Sequence, residues 1–242
     1  MWAATMGASD HTRLWPVVLS VGGSVFLGPE SASDAPFIAE LAGVLKEFGR
    51  TTPLAVTTGG GRIAREYIRL GRTLGLTEVE LDEVGIAVTR IHARLLAARI
   101  GPPTPLAPAT TTEQAAQELH RASPVVLGGT EPGHTTDGVA AMLAVRLRAS
   151  RLVNATSVAG LYDHDPRTHP DAQRRDRLGW EEFRAIVHAS AGEHAGQEFV
   201  FDRFGADQLR RAGIPLAIVD GRDLPNLRKA LAGMPFVGTS VE

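Results

Sequence analysis

A chain of 242 residues with 43% hydrophobic content can bury a full core, most economically as one domain or two closely merged lobes. Its 25 basic and 27 acidic residues leave a formal net charge of -2, which gives no general attraction to nucleic acid or to acidic membrane, so an anion must be captured locally. With no cysteine, disulfides, thiolate nucleophiles and zinc sites of the CxxC type are excluded.

The opening Met1–Asp10 lacks the basic start and apolar core of a signal peptide, and no run is long enough to cross a bilayer. Residues 1–14 therefore read as a frayed leader of a cytoplasmic protein, with residues 15–242 as a single folded unit. Trp15–Val21 predicts a first strand, turned sharply by Gly22-Gly23-Ser24. Phe37, Ile38, Leu41, Val44, Leu45 and Phe48 recur at helical spacing behind Ser33-Asp34, a cap for that helix. Pro53–Thr58 is a second strand running into Gly59-Gly60-Gly61 and a helix with Arg62 and Arg65 in its first turns. That makes an anion cradle, though not a P-loop, since no GKS or GKT follows. Glu80–Ile100 reads as a long amphipathic helix, broken by the Pro- and Thr-rich segment Pro102–Pro108.

Pro124–Leu127 reads as a short buried strand and Gly138–Val145 as a helix, so Gly128-Gly129-Thr130-Glu131-Pro132-Gly133-His134-Thr135-Thr136-Asp137 is a strand-to-helix loop. Hydroxyls at Thr130, Thr135 and Thr136 and the acid Asp137 suit a polar anionic ligand; the plain alternative is a tight turn with Thr136 or Asp137 as helix cap. Further strands are expected at Arg151–Thr156, Leu216–Val219 and near Val237, with helices near Trp180–His188, over Arg203–Ala212 and after Asp223. This alternation predicts an α/β fold, an αβα sandwich with a mainly parallel central sheet. Glycine loops at Gly22, Gly59, Gly128 and Gly160 each follow a strand and would face one edge, where the active site is expected.

The order of these motifs resembles the amino acid kinase superfamily and, within it, the archaeal type of uridylate kinase. The carrying stretches are Gly22-Gly23-Ser24, Gly59-Gly60-Gly61 with Ala64–Ile68, Asp82 with Gly85-Ile86 and Thr89-Arg90, Gly128–Asp137, and Thr156–Pro166. The resemblance implies transfer of the γ-phosphoryl group of ATP to UMP, with Mg²⁺. It implies that Gly22, Gly23 and Ser24 border the donor phosphates and that Gly60 and Arg65 lie along the path of transfer, with Arg65, Gly23 and Ser24 catalytic. Gly59, Asp82, Thr130, Glu131, Pro132, Gly133, His134, Thr135, Thr136 and Asp137 would bind UMP, and Thr156, Tyr162 and Asp165 the nucleotide of ATP. It also implies an acceptor part over about 15–150, a nucleotide part over about 151–242, and a homohexamer built as a trimer of dimers.

The chain departs from the family at two places. Ser20 stands where many relatives in the superfamily carry a lysine, which the archaeal uridylate kinases that the chain resembles also lack, and the only lysines are Lys46 and Lys229. Where relatives have a serine-rich run and then a lysine, this chain has Ala195–Asp202 and Gly205-Ala206-Asp207, with Arg203 adding back one cation. Asp163, His164, Asp165 and His169 read as a polar surface loop, because prolines at 166 and 170 break ligand spacing. His134 could touch a phosphate or cap its loop, and Arg90 could touch a ligand or lie on the helix surface. A kinase of another small phosphate or acid, and a non-catalytic nucleotide or oxyanion binding or storage protein, stand as alternatives; GxSxG and HExxH are absent.

Overall fold

The computed structural model describes residues 14–28, 34–163, 169, 171–189 and 201–242. Its elements are β1 (Val17–Val21), α1 (Gly23–Phe26), α2 (Ala35–Gly49), β2 (Leu54–Thr58), α3 (Gly61–Thr73), α4 (Glu78–Ile100), α5 (Thr112–Leu119) and β3 (Val125–Leu127). They continue as α6 (Thr136–Leu147), β4 (Arg151–Thr156), β5 (Arg177–Leu178), α7 (Trp180–Ala189), α8 (Arg203–Ala212), β6 (Leu216–Asp220), α9 (Leu224–Ala232) and β7 (Thr239–Val241). The strands make one seven-stranded sheet in the order β3-β2-β1-β4-β6-β7-β5. β1, β2, β3, β4 and β6 run parallel, so the loops leaving their carboxyl ends share one edge. β7 pairs antiparallel with β6, and the two-residue β5 follows β7 in parallel.

The central strands are buried on both faces, which is why they read as unbroken apolar runs rather than alternating ones. Val18, Ala55 and Leu152 pack with α6, α7 and α8 on one face; Leu19, Val56 and Val153 pack with α2, α4 and α9 on the other. Two residues beyond Val18, Ala55 and Leu152, the same face turns polar: Ser20, Thr57 and Asn154 stand in register on adjacent strands, all buried. This polar row lies just below the glycine edge.

The helix ends explain most boundary differences from the sequence. α4 begins earlier than its apolar pattern because Thr77 and Glu80 form a capping box, each bonding the other's backbone N–H. At α2, Asp34 occupies the cap position, yet its buried carboxylate does not cap. It accepts from Gly28 N–H at 2.6 Å and from Arg222 Nη2 at 2.6 Å, joining the start of α2 to the loop after β6. Gly22-Gly23-Ser24 is the start of a one-turn helix and not a simple turn. α5 and β5 are additions to the expected elements.

Thr57 Oγ1 is fully buried and has no hydrogen-bond partner among the described residues. A buried hydroxyl without a partner pays desolvation and gains nothing. Thr57→Val, which keeps the shape, is expected to raise the unfolding free energy by about 1 kcal/mol. A lower urea midpoint at unchanged slope would show instead that the hydroxyl is satisfied in solution.

Candidate functional site

The glycine edge is assembled backbone against backbone. Gly22 N–H donates to the Ala155 carbonyl at 2.9 Å and Gly59 N–H to that of Val21 at 2.8 Å, carrying the sheet ladder into the loops. A Cβ on Gly23 would sit 2.0 Å from Gly61 N, and one on Gly59 would sit 2.6 Å from Gly23 N. No side chain fits there, so the starts of α1 and α3 lie side by side, each presenting its first-turn N–H groups and positive end of the helix dipole. On α3, Arg62 spends Nη1 on Glu66 at 2.5 Å, while Arg65 follows one turn inside the helix, half-buried. Gly60 is the α3 cap residue, with Ala64 against its Cα.

The second and third loops are held by α4. Thr58 Oγ1 donates to the Thr89 carbonyl at 2.9 Å, and Gly129 N–H donates to Thr89 Oγ1 at 2.7 Å. Arg90 Nε and Nη2 donate to the carbonyls of Gly129 and Thr130 at 3.1 and 2.8 Å. His92 Nδ1 lies 2.8 Å from the Gly59 carbonyl, and since a carbonyl only accepts, Nδ1 carries the proton. Burial pushes the His92 pKa down and keeps the ring neutral, packed against Phe26. Arg90 is thus neither a surface residue nor a free ligand group; it clamps the loop. Further along α4, toward its start, Asp82 Oδ2 accepts from Gly133 N–H at 2.8 Å, so this acid grips the loop tip.

In the loop itself, Thr135 and neither Thr136 nor Asp137 caps α6, accepting from Gly138 N–H at 3.0 Å; its hydroxyl donates to Asp202 at 2.9 Å. Thr136 opens the helix, and Thr130 Oγ1 is buried without a partner among the described residues. Glu131 is exposed, 3.9 Å from His134 Nε2, and His134 rests its ring 5.1 Å from that of Phe204. Pro132 and Gly133, the latter with φ 85, form the tip. Asp137, in the first turn of α6, accepts from Ser20 Oγ at 2.7 Å across the sheet edge. The residue keeps some surface open, but protein crowds its carboxyl. That burial, opposed by the Ser20 hydrogen bond and reinforced by the charge of Asp202, pushes its pKa up to about 6. Motif reading marked Ser20 only as a serine in a lysine's place, and its bond to Asp137 is what the sequence did not announce.

On the β4 side, Thr156 Oγ1 donates to the Val158 carbonyl and accepts from Val158 N–H, closing a tight turn. Gly160, with φ 134, lies against Thr239, whose hydroxyl accepts from Leu161 N–H. Tyr162 bridges to Arg174. Asp165 lies outside the described residues, as do His164 and the stretch 195–200. Of the divergent region, Phe201 is core, Asp202 caps α8, and Asp207 pairs with Arg184 at 2.5 Å, on the flank of α7. No helix is long and apolar enough to cross a membrane, and no group of three His, Asp or Glu that could hold a metal occurs, in both cases among the described residues.

The model of the amino acid kinase family matches residues 15–220. A uridylate kinase of Thermoplasma volcanium is 41% identical over 93% of this chain and 97% of its own length, and one of Natronomonas pharaonis is 38% identical over 93% and 97%. The crystal structure of uridylate kinase from Archaeoglobus fulgidus superposes with a TM-score of 0.81 at 36% identity, covering 93% of this chain and 99% of that one. A UMP kinase from Ureaplasma parvum shares the fold at a TM-score of 0.77 and 19% identity.

Asp137 sets a pH dependence of stability. Its folded pKa, about 6, lies above the ordinary aspartate value of 3.8, so the folded state holds a proton that the unfolded chain releases between those values. Stability from this group is full below the lower value and lost as pH rises through the higher one, a cost of about 2–3 kcal/mol at neutral pH. Asp137→Asn, whose Oδ1 still accepts from Ser20, is expected to outlast the native chain in urea at neutral pH. That advantage should close as the pH falls toward about 4. An advantage that does not vary with pH would remove Asp137 as the titrating group.

Proposed function

This chain belongs to the amino acid kinase family, and on that premise we propose that it moves the γ-phosphoryl group of ATP onto UMP, releasing ADP and UDP. As a nucleoside monophosphate kinase it needs little covalent chemistry from the protein; phosphoryl transfer asks for alignment and for neutralisation of charge on the equatorial oxygens. The observation that carries the reading is the direct contact of the Gly22-Gly23 and Gly59–Gly61 backbones at one sheet edge. It exposes N–H groups from two loops to one small volume, as a transferring phosphate requires.

In this reading Gly22, Gly23 and Ser24 receive the donor phosphates, while Gly59, Asp82 and Thr130–Asp137 receive UMP, with Asp82 acting through the loop tip it holds. Thr156 and Tyr162 shape the nucleotide end, so residues of about 15–150 hold the acceptor and those of about 151–242 the donor, within one folded unit. Ser20 occupies β1 where a cation would otherwise approach the phosphates. Lys46 donates to the Ile100 carbonyl and Lys229 lies on α9, so neither lysine serves this edge, and in the family pattern Arg65 is the cation of the transfer path. Mg²⁺, when bound, shields charge on the phosphates.

The same reading includes assembly. Tyr67, Leu70 and Leu74 recur along one side of α3 and its end, each more than half exposed, as do Ile91 and Leu95 on α4. Large apolar side chains repeated on neighbouring helices are what a homo-oligomer interface buries, a trimer of dimers in the family pattern.

ADP release measured against a panel of nucleoside monophosphates tests the activity: UMP is expected to give the highest rate with UDP as product, and no stimulation by any monophosphate would leave only binding. Arg65→Ala is expected to lower kcat by roughly 10²–10³ while KM for UMP stays near native. A rise in KM at intact kcat would make Arg65 a ground-state contact. Leu70→Glu is expected to shift the particle mass by light scattering to a smaller assembly, and an unchanged mass would place the interface elsewhere.

A further inference from the structure

His92 is buried behind the glycine edge, too deep to meet a substrate, yet it touches both of the loops that converge there. It lies in the middle of α4, one turn beyond Thr89, and is 2% exposed. Its Nδ1–H donates to the Gly59 carbonyl at 2.8 Å, on the loop after β2. Its ring packs against Phe26 of α1, with centroids 5.1 Å apart and planes tilted by 36°. One imidazole can serve both, because its N–H lies in the ring plane and leaves the face free for an apolar neighbour.

Both contacts fall on groups that cannot orient themselves. α1 is a single turn, whose backbone bonds run only from Val25, Phe26 and Leu27 back to Gly22 and Gly23, each at 3.0 Å. A helix this short has no stability of its own, so its tilt is set by what its side chains pack against. Phe26 is its largest anchor and is fully buried. The contact of Gly23 with Gly61 fixes where α1 begins; the ring of His92 under Phe26 fixes which way its first-turn N–H groups point. On the other loop, Thr58 and Gly59 are tied in succession to α4, through the Thr89 carbonyl and His92 Nδ1. One rigid helix thereby gives the two loops a common reference.

Resting on the kinase reading above, we propose that His92 is a positioning residue for phosphoryl transfer, which registers the donor-side helix α1 against the acceptor-side loop at Gly59 through its two contacts at once. Transfer in line from donor to acceptor is sensitive to the separation and angle of the two loops, and a small misplacement far from the reacting atoms is costly. Each substrate is still gripped by its own loop when the register is lost. The loss therefore falls on the transfer step and not on binding.

Two variants of the full chain each keep one contact: His92→Asn retains an N–H near the Nδ1 position and drops the ring, while His92→Phe retains the ring and drops the donor. Steady-state kinetics with ATP and UMP are expected to show kcat lowered roughly tenfold or more in both, with each KM within about threefold of native. Phe26→Leu, which leaves His92 and its bond in place, is expected to lower kcat as His92→Asn does. Native kcat in either His92 variant would overturn the two-sided register, and with a lower urea midpoint would make the residue merely structural. A raised KM at native kcat would make His92 a support of one binding site alone. Amide exchange without nucleotide gives a readout independent of activity: Phe26 and Leu27 should exchange faster in His92→Asn, and Gly59 in His92→Phe. A native chain inactive with every monophosphate would fail the kinase reading and leave the bridge to the exchange pattern, where native rates at both segments would overturn it.

Discussion

One turn of α4, from Thr89 to His92, fixes the geometry on which the site depends. Its groups reach the loop after β2 through the Gly59 carbonyl and Thr58 hydroxyl, and the loop after β3 through Gly129 and Thr130. Glycine-rich loops pay heavily in backbone entropy when they order, so several bonds from a rigid helix are needed to hold them. α4 is suited to this because its capping box secures the start and Lys46 donates to the last carbonyl of the helix at 2.9 Å. The first loop, after β1, needs no such clamp, since it is trapped between Gly61 and the Ala155 carbonyl.

How much of this the sequence discloses depends on how local each cause is. The sandwich, its parallel sheet and the strand-to-helix loops follow from periodicity and glycine placement, which are short-range signals. α5 escapes because eight residues with two buried positions make too weak a stripe, and β5 because two residues make no pattern. The α2 cap shows a different limit: Asp34 follows a capping rule by position, yet its carboxylate is diverted to Arg222, a partner 188 residues away. Ser20 and Asp137 are separated by 117 residues, and nothing local announces that they meet. The loops that carry the candidate site were legible, while the bonds their side chains make within the fold were not. Thr89 and Arg90 carried the motif, but only the fold reveals that they serve the loops.

The serine at position 20 sets the electrostatic character of this edge. The Ser20 hydroxyl offers the Asp137 carboxylate one neutral hydrogen bond, which does not offset its burial, so the pKa is pushed up to about 6, still below neutral pH. Asp202 adds charge of the same sign while spending one oxygen on Gly205 N–H and the other on Thr135. Two acids in this position make the edge a poor general anion site. On the proposed reading the phosphate would bring its own cation, which would neutralise the acids on which a bare anion would be repelled.

The positive potential that remains must come from groups that cannot titrate or move away. Backbone N–H groups at the starts of α1, α3 and α6 meet that need, since their dipoles are fixed by the fold and lose no side-chain entropy when a phosphate arrives. This also explains why close glycine packing matters more here than lysine content. Only where Cβ atoms are missing can two helix starts approach within backbone contact, and only at that separation do their N–H groups act on one phosphate. In the proposed reaction Arg65, rising from the second of those starts, would then need to supply only the charge that develops during transfer, which a single guanidinium on a rigid helix is suited to follow.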